Sequence, residues 1–109
     1  MSTAHAVDPE EAFVASLSRF HMLWFLSLAA TRGFLVNQYT DEATGNMGTD
    51  ALGRRFMERV VLRPRIQRED LAPSESEVTA MHHQTHHDCF IANSVRTEVL
   101  VDTASGSVD

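Results

Sequence analysis

The sequence contains no lysine: all nine basic residues are arginine, which reads as a habit of composition rather than a functional device. Positive charge is scarce overall. Fifteen carboxylates leave a formal net charge of -6, which disfavours a surface built to hold a phosphate backbone, so nucleic acid is not an expected partner. Cysteine occurs once, at Cys89, so no disulfide can form within the chain and a reducing compartment is the simplest setting. Long apolar runs are absent too. The longest uncharged stretch, residues 20–31, falls short of the roughly 20 apolar residues that a bilayer span needs. Residues 1–8 have neither the basic n-region nor the apolar h-region of a secretory signal. Together these absences lead to the expectation of a soluble, cytoplasmic protein with no membrane partner.

What is present suffices for one compact domain: 109 residues, 43% of them hydrophobic. Asp8-Pro9-Glu10-Glu11 is a helix start, with an aspartate suited to the N-cap, proline at the first helical position and two acids at the positive end of the dipole. The helix should run over residues 9–31 and stop at Arg32-Gly33. Phe13, Val14, Leu17, Phe20, Leu23, Trp24, Phe25, Leu26 and Leu28 surround it on almost every side, the pattern of a helix sandwiched between partners. Residues 34–39 read as extended and residues 40–49, with Gly45-Asn46 and Gly48, as a turn, which together predict a hairpin. Over residues 55–66, Phe56, Val60 and Leu62 share one side and Arg55, Arg59, Arg63 and Arg65 the other, as in a half-buried strand, with Pro64 near an edge or end. Ser74 and Glu77 have the spacing of a capping box for a second helix carrying Val78, Met81, His82, His83, His86, His87 and Cys89. A final strand follows, with Val95, Thr97, Val99 and Val101 alternating against Arg96, Glu98 and Leu100. The fold class is therefore α+β, helices layered on an antiparallel sheet, with residues 1–8 a lead, 9–103 the domain and 104–109 a frayed tail.

Two ordered motifs carry a resemblance. The run from Asp8 through Ser16-Leu17-Ser18 to His21-Met22-Leu23-Trp24-Phe25-Leu26 resembles the long central helix of OsmC-like proteins. His82, His86 and Cys89-Phe90-Ile91-Ala92-Asn93-Ser94-Val95 are similar to that family's second cysteine segment. The resemblance implies two long helices on curved antiparallel sheets and two intertwined chains. It also implies a reaction in which a peroxidatic cysteine attacks an organic hydroperoxide, becomes a sulfenic acid and is resolved by a second cysteine, with an external thiol as reductant and no cofactor. A glutamate near the start of the central helix and an arginine of the opening strands would help hold the reactive thiol as thiolate. Residue by residue, Glu10 takes the glutamate position, Cys89 the resolving position and Phe20 the peroxidatic position. A phenyl ring has no ionisable atom, so the two-cysteine cycle should be lost. Only eight residues precede Pro9, so the family's opening strands and their arginine are expected to be missing, either because the chain is a truncated form or because its sheet is completed differently.

Competing readings of the same residues stay open. Cys89 is either a one-cysteine peroxidase centre or a buried inert thiol. Phe20, on a helix apolar all round, is most simply core. His82, His86 and Cys89 at i, i+4 and i+7 would share a helical face and form a weak metal motif, with His83 and His87 repeating the i, i+4 pair beside it. The arginine ridge is either an anion surface or a solvated strand face. Trp24, Phe25 and Met22 are expected in core or dimer interface rather than in a ligand pocket. The partners expected are a second copy of the chain and a small organic hydroperoxide or apolar ligand.

Overall fold

The structure, a computed structural model, describes residues 8–68 and 73–103; of the lead expected over 1–8 all but Asp8, and the tail expected over 104–109, lie outside them. Helix α1 spans Pro9–Thr31, with the boundaries expected from its signals. The Asp8 carboxylate accepts the Glu10 N–H at 2.9 Å, and at the far end Gly33 takes a φ of 74° while the N–H groups of Gly33 and Phe34 return to the carbonyls of Ala30 and Ala29. Only one stripe of α1 is buried: Leu17, His21, Phe25 and Ala29, spaced four apart. Phe20, Leu23 and Trp24, on other faces, are 36%, 48% and 38% exposed. The expectation that Phe20 is core and the helix sandwiched is thus corrected for a single chain, because the sheets and second helix cover one side of the cylinder. By length and composition alone α1 would also suffice to cross a membrane, a test that a core helix passes equally.

Strands β1 (Val36–Asp41), β2 (Thr44–Thr49), β3 (Arg55–Leu62) and β4 (Pro64–Arg68) make one long bent hairpin rather than the short one expected. β1 pairs with β4 and β2 with β3, both antiparallel and in separate sheets, with the same register offset on either side of the bend, from Gln38↔Gln67 to Asp41↔Pro64 and from Thr44↔Val61 to Asn46↔Arg59. Its turn is residues 50–54, not 40–49. Asp50 builds it, accepting the N–H groups of Leu52 and Arg54 on one oxygen and the guanidinium groups of Arg54 and Arg96 on the other. Gly45 and Gly48, which suggested a turn, lie instead in β2. At Gly45 a Cβ would meet Val14 Cγ2 at 2.8 Å and Met57 Sδ at 2.9 Å, so its role there is close approach rather than a turn. The ladder breaks at Arg63, where the Asp41 carboxylate accepts the Arg63 N–H at 2.6 Å and the Ser18 hydroxyl at 2.5 Å, tying the bend to α1.

The register shifts between Asn46 and Met47, leaving Glu58 unmatched as a bulge. One extra residue inverts the alternation. Met57 therefore packs with Val60 and Leu62 against the core, and Phe56, expected beside them, lies under the Arg96 guanidinium at 3.9 Å instead.

Helix α2 (Glu75–Asp88) opens with the capping box expected at Ser74 and Glu77. It is a crossover that returns the chain so that β5 (Glu98–Val101) runs parallel to β3. The sheet β2-β3-β5 is therefore mixed, not wholly antiparallel. Two cores result. Leu17, Val60, Leu62, Val99 and Val101 join the first half of α1 to the mixed sheet; Phe25, Ala29 and Met81 join its second half to α2 and to Val36, Tyr39 and Ile66 of the β1-β4 pair. Two helices of an α+β fold thus lie on two sheets, one antiparallel and one mixed, as expected in outline.

Candidate functional site

Two of the positions singled out for peroxide chemistry, Glu10 and Phe20, lie far apart along one helix. Glu10 sits exposed in the first turn of α1, where a shared hydrogen bond with Asp8 raises its pKa and lowers that of Asp8. Phe20 lies ten residues on, which is about 15 Å along the helix axis. Glu10 instead lines an open groove of about 530 Å³ with Val14, Ser18, Asp41, Gly45 and Met57.

Cys89 is not on the helix face assigned to it. It is the C-cap of α2, in extended backbone conformation and 2% exposed. Its N–H donates to the Thr85 carbonyl and its own carbonyl accepts the Asn93 N–H, as the chain turns into a short 3₁₀ segment (Ala92–Ser94) that periodicity did not reveal. Around it the Asn93 amide caps the His87 carbonyl and the Ser94 hydroxyl caps that of Phe90. Leaving the helix at Asp88 separates Cys89 from the ladder of His82 and His86. Among the described residues no three His, Cys, Asp or Glu side chains are arranged to hold a metal ion, so the His82, His86 and Cys89 motif is not assembled.

His82 turns inward and meets a residue that sequence reasoning had named only as part of a motif. His82 Nδ1 lies 2.9 Å from His21 Nε2; both residues are 2% exposed and join α2 to α1. One ring must donate and the other accept, so the bond as drawn requires both to be neutral or one to be charged at its outer nitrogen. Phe25 stacks on His82 at 4.1 Å between centroids, and Tyr39 tilts against both rings. Burial pushes His21 down to about 3, reinforced by His82 and His86, and pushes His82 down to about 4, reinforced by His83 and Arg65. The same burial pushes the Tyr39 phenol up, and its hydroxyl has no hydrogen-bond partner among the described residues. The signal for His21 was available in its fourfold spacing with Leu17, Phe25 and Ala29; its partner, 61 residues away, was not.

The arginine ridge is largely engaged. Arg59 pairs with Glu98 at 2.7 Å and Arg63 with Asp102 at 3.8 Å, while Arg65 donates to the carbonyls of Pro64 and Asp102. A solvated, acid-paired strand face accounts for it. Trp24 and Met22 are not core: Trp24 borders a shallow depression of about 250 Å³ with Phe20, Leu23 and Ser27, whereas Phe25 is fully buried.

Comparison with known proteins bears on this geometry. The profile of the family described as OsmC-like protein matches residues 2–104. An OsmC-like protein of unknown function from Vibrio cholerae is 48% identical, with a TM-score of 0.86, over 94% of this chain and 67% of that one. A putative organic hydroperoxide resistance protein of the same organism, solved with captopril bound in one of its active sites, is 20% identical with a TM-score of 0.72, over 93% and 66%. The organic hydroperoxide resistance protein OhrB of Bacillus subtilis is 13% identical with a TM-score of 0.70, over 90% and 70%. The last two show the fold alone. The chain spans about two thirds of the length of the two Vibrio proteins. No protein with a curated description matches it.

Proposed function

Because this chain belongs to the OsmC-like family, we propose that it keeps the scaffold of a thiol-dependent hydroperoxide reductase while lacking the first nucleophile, and works as a dimeric, non-catalytic member. The observation that carries this reading is the pair of facts at the reacting positions: Phe20 where a thiol is required, and a single cysteine, Cys89, that is 2% exposed. In the two-cysteine cycle a thiolate attacks the terminal peroxide oxygen, the O–O bond breaks and an alcohol leaves. The resulting sulfenic acid loses water to a second thiol as a disulfide forms, and an external dithiol takes the disulfide back. Phe20 cannot begin this sequence and Cys89 alone cannot close it within the chain.

Dimerisation is supported by the apolar face that α1 leaves uncovered, Phe20, Leu23 and Trp24. A site joining Glu10 to position 20 would also need two copies, given their separation along one helix. The solitary thiol supports a reducing, cytoplasmic setting.

The test is consumption of cumene hydroperoxide with excess dithiol by the unmodified chain, Phe20→Cys and Cys89→Ser. The expected result is an inert unmodified chain and at least a hundredfold gain over background in Phe20→Cys, roughly what restoring a nucleophile contributes. Turnover by the unmodified chain that disappears in Cys89→Ser would instead make Cys89 a one-cysteine centre and refute the non-catalytic reading.

A further inference from the structure

Helix α2 is held in place by a narrow stripe. Its buried side chains are Met81, His82 and Thr85, with Val78 half-buried beside them. One of these anchors is a titratable ring, and its hydrogen bond of 2.9 Å to His21 ties α2 to α1. The core on the mixed sheet differs. It consists of Leu17, Val60, Leu62, Val99 and Val101, none of which can take a proton. An element anchored over so little surface opens at lower cost than the strands beneath it. Acid therefore has a point of attack on α2 that the mixed-sheet core does not offer.

The bond fails once both rings are charged, because a neutral imidazole offers one donor and one acceptor whereas two imidazolium rings offer donors only. The surroundings give the charge no relief. His83 and His86 of α2 and Arg65 of β4 act on the pair against an added proton. Tyr39 of β1 presents a ring at 6.5 Å from that of His82, and Phe25 of α1 stacks on it. A carboxylate, Glu75, borders the small cavity beside His82, but Arg65 and Arg68 border it too.

We infer that the His21–His82 contact is an acid-released latch: in mildly acidic solution α2 lifts from α1 and uncovers Phe25, Ala29 and Met81, while the sheet β2-β3-β5 stays paired. Once in water the rings take up protons at their ordinary value of 6.5, so the open form gains on the closed one as pH falls below it. The latch uses neither Phe20 nor Cys89, so it stands whether or not the chain reduces peroxides. The stripe it uncovers, Phe25 and Ala29, is buried within one chain and is not the α1 face of Phe20, Leu23 and Trp24.

The experiment follows amide hydrogen exchange in the full chain at pH 7 and pH 5, each rate divided by that of a free peptide at the same pH. The amides of Met81, His82 and Thr85 are expected to be about tenfold less protected than those of Val60 and Leu62 at both pH values. Their protection should also fall by about tenfold or more from pH 7 to pH 5. In His21→Leu/His82→Leu that fall should vanish, and His21→Gln/His82→Gln, which keeps a polar link but cannot charge, should lose it as well. Equal protection of α2 and β3 at pH 5 would overturn the inference, because the whole domain would then open at once. So would a pH dependence that survives in both variants, or one that changes with protein concentration, since its cause would then be the parting of two copies.

Discussion

Truncating Phe25 to alanine is expected to destabilise the protein by about 3–5 kcal/mol, a large share of the roughly 5–15 kcal/mol that holds a domain of this size together. Phe25 is fully buried and belongs to the cluster in which Ala29, Met81 and the β1-β4 pair meet α1. Its ring also covers His82 at 4.1 Å, so truncation removes more than packing. It would open a path for water to the buried His21–His82 pair. Phe25→Leu, which refills most of the volume, should recover over half of the loss. Urea unfolding of both variants at pH 7.5 measures this, and a loss below about 1 kcal/mol for Phe25→Ala would show that the cluster is not a principal source of stability.

Acid should act on the same place. His21 and His82 are held below their ordinary value of 6.5, at about 3 and about 4, chiefly because their charged forms cannot be solvated. The folded chain therefore refuses protons that the unfolded chain takes up as pH drops below 6.5. Stability is full above that point and falls as pH descends toward the folded-state values, by up to about 1.4 kcal/mol per pH unit for each ring. By pH 5 the pair should remove on the order of 2–4 kcal/mol. The groups facing the pair, His83, His86 and Arg65, repel an added proton and sharpen the effect. Asp50 does not share this window: backbone N–H groups hold it below its usual 3.8, so whatever it contributes is lost only in stronger acid. Urea titrations at pH 7.5 and 5.0, compared with the His21→Leu/His82→Leu double variant, isolate the contribution. A flat profile between those two pH values in the unmodified chain would show that the rings charge without penalty.

The sequence made the ends of α1 and the capping box of α2 legible because caps are local: Asp8 reaches two residues ahead and Ser74 three. It misled over the hairpin, since Gly45 and Gly48 are the usual residues of turns, and only the approach of Val14 and Met57 shows why glycine stands in a strand. Alternation placed Val60 and Leu62 correctly and Phe56 wrongly, because a bulge adds one residue without leaving any mark in the pattern. The direction of β5 depends on where a crossover helix puts the chain down, and alternation is blind to it. At the candidate site, motif matching assigned Cys89 to a helix face one residue beyond the last one that exists. The His21–His82 bond is a contact between residues 61 apart, visible only once α1 and α2 are packed.

The burial of Cys89 has a practical use. As the single thiol of the chain, shut in by the end of α2 and the turn that follows, it can meet an aqueous reagent only when that corner opens. Labelling by a thiol-reactive dye thus becomes a clock for local opening, and slow labelling in dilute buffer would time the loosening of one helix end while the rest of the molecule stays closed.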